Sequence, residues 1–165
     1  MERKNLRPEE IVFSLRTTMN RLEQLLAQMP EAALRLSLAP GKWCVAEIVG
    51  HLYDTEEVWG GRIAKVCQET NPFLPGYDPE AYVRKRGYKH YHLSEIFDLL
   101  RAYRRQREQT LARLQGDVWD RVGIHEEEGE MPVQVLAEIL ALHEQHHLQQ
   151  IEQIWQRALL EEGDL

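Results

Sequence analysis

Hydrophobic residues recur at three- and four-residue steps along four long segments of the chain, which is typical of amphipathic α-helices. The predicted helices cover about residues 8–29, 44–68, 94–114 and 133–160. No segment shows a convincing alternation of apolar and polar positions, so no β-strand is predicted. The pattern predicts an all-α fold, a four-helix bundle formed by a single domain of residues 1–165.

Signals at the ends of the segments support these bounds. Pro8 suits the first turn of a helix, and Pro30 ends the first helix. The second helix starts with the spacing of a capping box, with Cys44 in the place of Ser or Thr and Glu47 three residues later. We interpret Cys44 as a capping replacement rather than as a reactive thiol. Ser94 is a favourable N-cap for the third helix.

The stripes that should face the core can be read from the same periodicity. On the second helix they include Ile48, Val58, Trp59 and Val66. On the third helix they are Ile96, Leu99, Leu100, Tyr103, Leu111 and Leu114. A run of arginines on the third helix is expected to form a solvated face, and its members are Arg101, Arg104, Arg105 and Arg107.

The connection between the second and third predicted helices, residues 69–93, is long. Its length allows a crossover rather than a simple hairpin path, and it can cover one end of the bundle. The connection is rich in tyrosine and histidine side chains, namely Tyr77, Tyr82, Tyr88, His90 and Tyr91.

Two of the seven histidines, His143 and His147, are four residues apart on the fourth helix and therefore share one face. At about 100° per residue both fall in the middle of the apolar stripe, whereas His146 falls at its margin. A buried imidazole is costly unless its polar atoms find partners. The pair alone is equally compatible with hydrogen-bonded core histidines and with metal ligands.

A third histidine, His51, lies at the centre of the buried face of the second helix. Three inward histidines on two helices form the donor set of a metal site, and imidazole suits zinc, nickel, copper and iron. Three protein ligands leave a position for water or substrate, which is typical of a catalytic metal. We therefore predict that His51, His143 and His147 bind one divalent metal ion.

Four polar residues are candidates for supporting this site. Asp54 and Gln150 lie near the edges of their stripes, where they could hydrogen-bond to ligand imidazoles. Thr55 and Arg62 extend the stripe of His51, and Arg62 could hold an anionic group of a substrate. For Arg62 we favour a salt bridge with a neighbouring glutamate. His125 is expected in an exposed loop.

Residues 143–147 also match His-Glu-x-x-His, the motif in which a glutamate serves zinc proteases as general base. Glu144 lies about 100° from His143 around the helix, a direction that faces solvent in the predicted bundle. Protease activity is therefore only a minor alternative.

Composition and charge exclude several classes of protein. The formal net charge of −7 argues against a protein that grips nucleic acid. No apolar run reaches the length of a membrane span, and no signal peptide is evident at the N-terminus. Two cysteines do not make a disulfide framework. We expect a reduced, cytoplasmic protein that acts on a small-molecule substrate and binds neither nucleic acid nor membrane.

Two stretches of the chain resemble the DinB/YfiT-like family of metalloenzymes. Residues 41–56, GKWCVAEIVGHLYDTE, are similar to that family's pattern Trp-Ser-x-x-Glu-Ile-x-x-His-Leu-x-Asp, with Cys44 in the place of the serine. Residues 143–151, HEQHHLQQI, are similar to its His-x-x-x-His-x-x-Gln-Ile ending. The two motifs occur in the order and at the spacing of the family.

The resemblance implies a four-helix bundle with a long crossover, commonly a homodimer, and metal ligation by His51, His143 and His147. Nickel or zinc is the metal that it implies. Related members include thiol-dependent transferases and isomerases that use bacillithiol, mycothiol or glutathione, so a low-molecular-weight thiol is a candidate cofactor.

Two functions remain open on the sequence. One is a metal-dependent enzyme, either a thiol S-transferase or a metal-dependent hydrolase. The other is a non-catalytic module, a metal-stabilised or metal-free bundle that dimerises or binds a partner.

Overall fold

Four long helices and one short helix make up most of the computed structural model, which describes residues 4–163 and the side chains of residues 4–160. They are α1 (Pro8–Leu26), α2 (Val45–Gln68), α3 (Pro79–Arg86), α4 (Leu93–Arg113) and α5 (Val133–Gly163). The four long helices confirm the predicted all-α bundle. Residues 1–3, 164 and 165 of the predicted domain lie outside the described residues.

Helices α2 and α4 run in parallel, which explains the long connection between them. Glu56 on α2 meets Arg104 on α4, and further along both helices Gly60 meets Arg107. Because the chain must return to the starting end between two parallel helices, a simple hairpin cannot join them. The return path contains α3 and a 3₁₀ turn at Tyr88–His90. Both α2 and α1 pack against α4 and α5.

A small three-stranded sheet lies beside the bundle, so the prediction that no strand is present was wrong. Strand β1 (Phe73–Leu74) pairs in parallel with β2 (Val122–His125), which forms an antiparallel hairpin with β3 (Gly129–Pro132). Strands of two to four residues are too short to display alternation above background. The hairpin leads directly into α5.

Two predicted helix ends differ from the structure. Helix α1 stops at Leu26, and the N–H groups of Gln28 and Met29 then bond to the third residue back in a tighter turn. Helix α4 starts at Leu93, with His92 at the N-cap, so Ser94 lies inside the first turn and does not cap the helix. The buried side chain of Leu93 joins the core from this first turn.

The core consists of two hydrophobic clusters. One surrounds Ile48, Leu52 and Ile151, and the other surrounds Ile63 and Leu140. On α5 the residues between the clusters include His143, Glu144 and His147, and on α2 they include Thr55 and Glu56. Predicted core residues on α2 and α4 were partly misplaced: Leu99 is 49% exposed, and Val58 and Trp59 are only half-buried.

Candidate metal centre

The three predicted histidines converge between α2 and α5, which pack directly against each other. Nε2 of His143 lies 3.0 Å from Nε2 of His51 and 3.1 Å from Nε2 of His147. The three candidate ligand atoms all lie within 4.8 Å of one another. His146 is exposed, as its position at the margin of the stripe predicts. Helical phasing therefore selected the histidines that meet in space.

Burial keeps all three rings neutral at pH 7. It lowers the pKa of His51 to about 3, that of His143 to about 2 and that of His147 to about 4. In His51 and His143, repulsion from neighbouring rings lowers the pKa further. In His147, the bond to Gln150 partly opposes the effect of burial. Neutral imidazole is the form that binds a metal ion.

Hydrogen bonding within the cluster does not satisfy all three rings. Nδ1 of His147 lies 2.9 Å from Oε1 of Gln150, so the neutral ring donates its one proton there and presents a lone pair at Nε2. A proton on Nε2 of His143 can point directly at only one of its two close neighbours. A cation at the point where the three nitrogens converge would satisfy all of them.

A cleft of about 370 Å³ opens beside His147. Its wall includes Gln150, Lys42 and Trp43, together with apolar residues of α2 and α5. The ring of Trp43 packs 4.7 Å from that of His51 and 6.3 Å from that of His147, measured between centroids. The cluster thus has one side next to space that a small molecule can enter.

Asp54 contacts residues of the crossover connection and does not hydrogen-bond to a histidine ring. It is fully buried, and its Oδ1 accepts a 2.5 Å hydrogen bond from the hydroxyl of Tyr88 and lies 3.4 Å from Nε of Arg86. Burial raises the pKa of this carboxyl, while Tyr88 and Arg86 oppose the rise. Gly50 makes room for Tyr88, because a Cβ there would lie 2.1 Å from its ring. Nδ1 of His51 has no hydrogen-bond partner among the described residues.

Thr55 follows Asp54 and is also buried. Its hydroxyl donates to the carbonyl of His51 at 2.8 Å, within the same helix. The hydroxyl of Thr55 is therefore satisfied within its own helix and does not orient any of the three imidazoles.

Buried ion pairs lie beside the histidines, where the sequence suggested solvent. Arg104 is 1% exposed and pairs with the carboxylates of Glu56 on α2 and Glu144 on α5. Arg107 is also buried and lies 3.5 Å from Glu56. The glycine at Gly60 allows this approach, since a Cβ there would overlap the guanidinium of Arg107.

This arrangement corrects two predictions. Arg104 and Arg107 do not belong to a solvated face, although Arg105 is exposed and Arg101 is half-buried. Glu144 does not face solvent, and its pairing with Arg104 makes it unavailable as the general base of a zinc protease. A signal was present in the sequence, because Arg104 and Arg107 share the apolar stripe of Leu100 on α4.

Two further predictions are corrected on the other side of the cluster. Arg62 makes no salt bridge among the described residues; its Nη2 donates to the carbonyl of Pro75 at 2.5 Å, and its guanidinium stacks on Trp59. His125 is not in an exposed loop but is 8% exposed at the end of β2. Its Nδ1 accepts bonds from the backbone of the hairpin turn.

The thiol of Cys44 is buried at the start of α2, and burial raises its pKa. A raised pKa disfavours the thiolate, which agrees with the interpretation of Cys44 as a capping replacement. The carboxylate of Glu47 accepts the backbone N–H of Cys44 at 3.0 Å, as a capping box requires.

Comparison with protein-family models identifies the family of the chain. A family model described as the DinB superfamily matches residues 14–151. The chain belongs to the DinB superfamily. A comparison of this DinB-superfamily chain with curated proteins gives no match.

Solved structures share its fold. One is YfiT from Bacillus subtilis, described as a probable metal-dependent hydrolase with an unusual four-helix bundle topology. It is 20% identical to this chain, and the TM-score is 0.86 over 96% of this chain and 93% of that chain. A mycothiol-dependent maleylpyruvate isomerase is 12% identical, with a TM-score of 0.73 over 92% of this chain and 63% of that chain. TT2238, a four-helix bundle protein, is 18% identical, with a TM-score of 0.62 over 88% of this chain and 98% of that chain.

None of the helices in the described part of the chain combines the length and the apolar character that crossing a bilayer demands.

Proposed function

We propose that this DinB-superfamily protein is a metal-dependent enzyme in which His51, His143 and His147 bind one divalent ion through Nε2. The observation that carries the proposal is the spacing of these three nitrogens, 3.0 Å and 3.1 Å. Nitrogens that each lie about 2.0–2.1 Å from one metal are roughly 3 Å apart, so these two spacings fit such an ion, and the third pair of ligand atoms lies within 4.8 Å. Nickel and zinc are the proposed metals, since neutral imidazoles suit both.

The donor set favours catalysis over a purely structural role. Three neutral ligands leave the charge of the ion uncompensated, and a bound ion supplies Lewis acidity that makes a water or a thiol nucleophilic at neutral pH. Gln150 holds Nδ1 of His147 and so fixes the ring with its Nε2 lone pair toward the other two histidines. Trp43 packs over two of the rings and limits the access of bulk water from the cleft.

The cleft beside His147 is the proposed entrance for the substrate. Its walls combine Ile48 and Ile154 with Lys42 and Gln150, a mixture that suits a small organic molecule with a polar group. Hydrolysis is the version we place first, because the fold matches that of YfiT, a probable metal-dependent hydrolase, along nearly its whole length. Thiol S-transfer with a low-molecular-weight thiol is the second version, because the fold also matches that of a mycothiol-dependent isomerase.

Two chromogenic reactions test the proposal and separate its versions. Protein without a histidine tag is loaded with zinc or nickel and assayed for hydrolysis of p-nitrophenyl acetate and for transfer of L-cysteine to 1-chloro-2,4-dinitrobenzene. We expect a metal-dependent rate in one reaction, lost in His143→Ala and kept in His146→Ala, because His146 is exposed. Equal rates in the loaded protein and in folded His143→Ala would contradict an enzymatic role of the cluster and favour a non-catalytic module.

A further inference from the structure

A second cavity, of about 530 Å³, lies between α2, α5 and the β2–β3 hairpin. It is separate from the cleft at His147. Its inner wall consists of Trp59, Arg62, Tyr77, His125, Met131 and Ile139. The volume is within the range of pockets that bind small organic ligands.

Arg62 is the unusual member of this wall. Its side chain is only 5% exposed, yet no carboxylate of the described residues lies within 4 Å of its guanidinium. Nη2 donates to the carbonyl of Pro75, and Nε is buried without a hydrogen-bond partner in the described chain. A buried arginine normally has an anion beside it, because an uncompensated charge in a protein interior is costly.

The surroundings of Arg62 indicate what kind of anion fits. The guanidinium stacks on Trp59, with Cζ 4.8 Å from the ring centroid, so its unpaired edge is held in a fixed direction. The phenol of Tyr77 is buried without a hydrogen-bond partner among the described residues and lines the same space. Met131 and Ile139 supply an apolar surface. A planar anion with an apolar body matches these groups better than a compact inorganic ion does.

We propose that this cavity binds a small organic acid, with Arg62 contacting its carboxylate and the apolar body lying against Met131 and Ile139. Guanidinium and carboxylate are complementary planar groups that pair through hydrogen bonds.

The rim of the cavity restricts the ligand to a low negative charge. Glu127, Glu128 and Glu130 line it from the exposed hairpin. Their exposure means that salt and water screen their repulsion of a single carboxylate, while a dianion such as a phosphate monoester is repelled more strongly. Glu127 also favours the charged form of Arg62.

The position of the cavity links it to the histidines, and this step rests on the proposed function. Ile139 precedes His143 by one helical turn, roughly 6 Å, and Trp59 follows His51 by roughly 12 Å along α2. An acid held by Arg62 would therefore lie within about two helical turns of the histidines along both helices.

Binding of 4-phenylbutyrate to the metal-free full chain, measured by isothermal titration calorimetry, tests the proposal without any activity. We expect saturable binding below about 10 mM, and at least tenfold weaker binding of the neutral 4-phenylbutyramide. Arg62→Gln should weaken binding of the acid at least tenfold, while Arg105→Gln, which removes an exposed arginine of α4, should leave it unchanged. Inorganic phosphate should bind more weakly than the acid.

A second variant keeps the test valid if Arg62→Gln does not fold. Glu127→Gln removes repulsion at the exposed rim and should tighten binding of the acid about twofold to fivefold. Equal binding of acid and amide, absence of saturable binding, or tighter binding of phosphate would overturn the proposal. His143→Ala should still bind 4-phenylbutyrate, so failure of the metal proposal and failure of this one give different results.

Discussion

Nε2 of His143 on α5 lies 3.0 Å from Nε2 of His51 on α2, although 92 positions separate the two residues in the sequence. The contact exists because α2 and α5 pack against each other with their polar positions at the same level. This level also holds the buried Arg104 and its two glutamates, between two hydrophobic clusters. The buried histidines and this ion-pair network are therefore neighbours in the bundle, while other buried polar groups, such as Arg62 and His125, lie elsewhere.

Gln150 should strengthen metal binding by holding the ring of His147. Gln150→Leu removes the acceptor at 2.9 Å from Nδ1, and loss of such an orienting bond typically weakens metal affinity 10- to 100-fold. Competition with a chromogenic zinc chelator measures this change. Gln149→Leu, at the exposed neighbouring position, should bind zinc as the unchanged protein does. Equal affinities of the two variants would contradict a role for Gln150.

Arg104 should be essential for stability because it neutralises two buried carboxylates. Arg104→Met leaves Glu56 and Glu144 without their main partner and should lower the free energy of unfolding by about 3–5 kcal/mol. Urea denaturation followed by circular dichroism measures the loss. Arg105→Met, an exposed change on the same helix, should cost less than about 0.5 kcal/mol.

The ion pairs also give a rescue test. Adding Glu56→Gln and Glu144→Gln to Arg104→Met removes the uncompensated charges and should restore part of the lost stability. A loss in Arg104→Met that matches that of Arg105→Met would show that the pairs contribute little.

The fold was largely predictable from sequence, whereas the buried polar groups were only half predictable. Helical periodicity identifies four long segments because each buries a continuous stripe, and the same phasing finds His51, His143 and His147. It fails for Arg104 and Glu144, because a single helix pattern treats a charged residue as outward-facing. Each is buried because it pairs with the other across two helices. Such a tertiary contact is not visible in the pattern of one helix. The strands were not predicted for a different reason. Strands of two to four residues are too short to show an alternation of apolar and polar positions.

The hydroxyl of Tyr88 should hold the crossover on α2. Tyr88→Phe leaves the buried Asp54 without its 2.5 Å donor and should cost about 1–3 kcal/mol of unfolding free energy. Thermal and urea unfolding measure the change. Tyr91→Phe, in the same segment but with the ring 48% exposed, serves as the matched control and should have little effect. A loss of less than about 0.5 kcal/mol in Tyr88→Phe would mean that the bond does not anchor the crossover.

The metal-free protein should become less stable as the pH falls below about 6.5. Folding lowers the pKa of His51, His143 and His147 to about 3, 2 and 4, so below their ordinary pKa the unfolded chain binds protons that the folded chain does not. Each ring then removes up to about 1.4 kcal/mol of stability per pH unit, and the full stability is present only above pH 6.5.

Urea titrations in the presence of a chelator, between pH 7.5 and 5, measure this slope. His143→Ala should show a shallower slope because one titrating ring is gone, whereas His146→Ala should keep the slope of the unchanged protein. Identical slopes in all three proteins would contradict the neutral, buried state of the cluster.

The most direct measurement is the metal content of protein purified without a histidine tag and incubated with zinc or nickel, determined by elemental analysis after removal of free metal. The convergence of the three Nε2 atoms predicts about one ion per chain, about one in His146→Ala, and less than one tenth in folded His143→Ala. Less than one tenth of an ion in the unchanged protein, or equal contents in folded His143→Ala and His146→Ala, would contradict the three-histidine metal site.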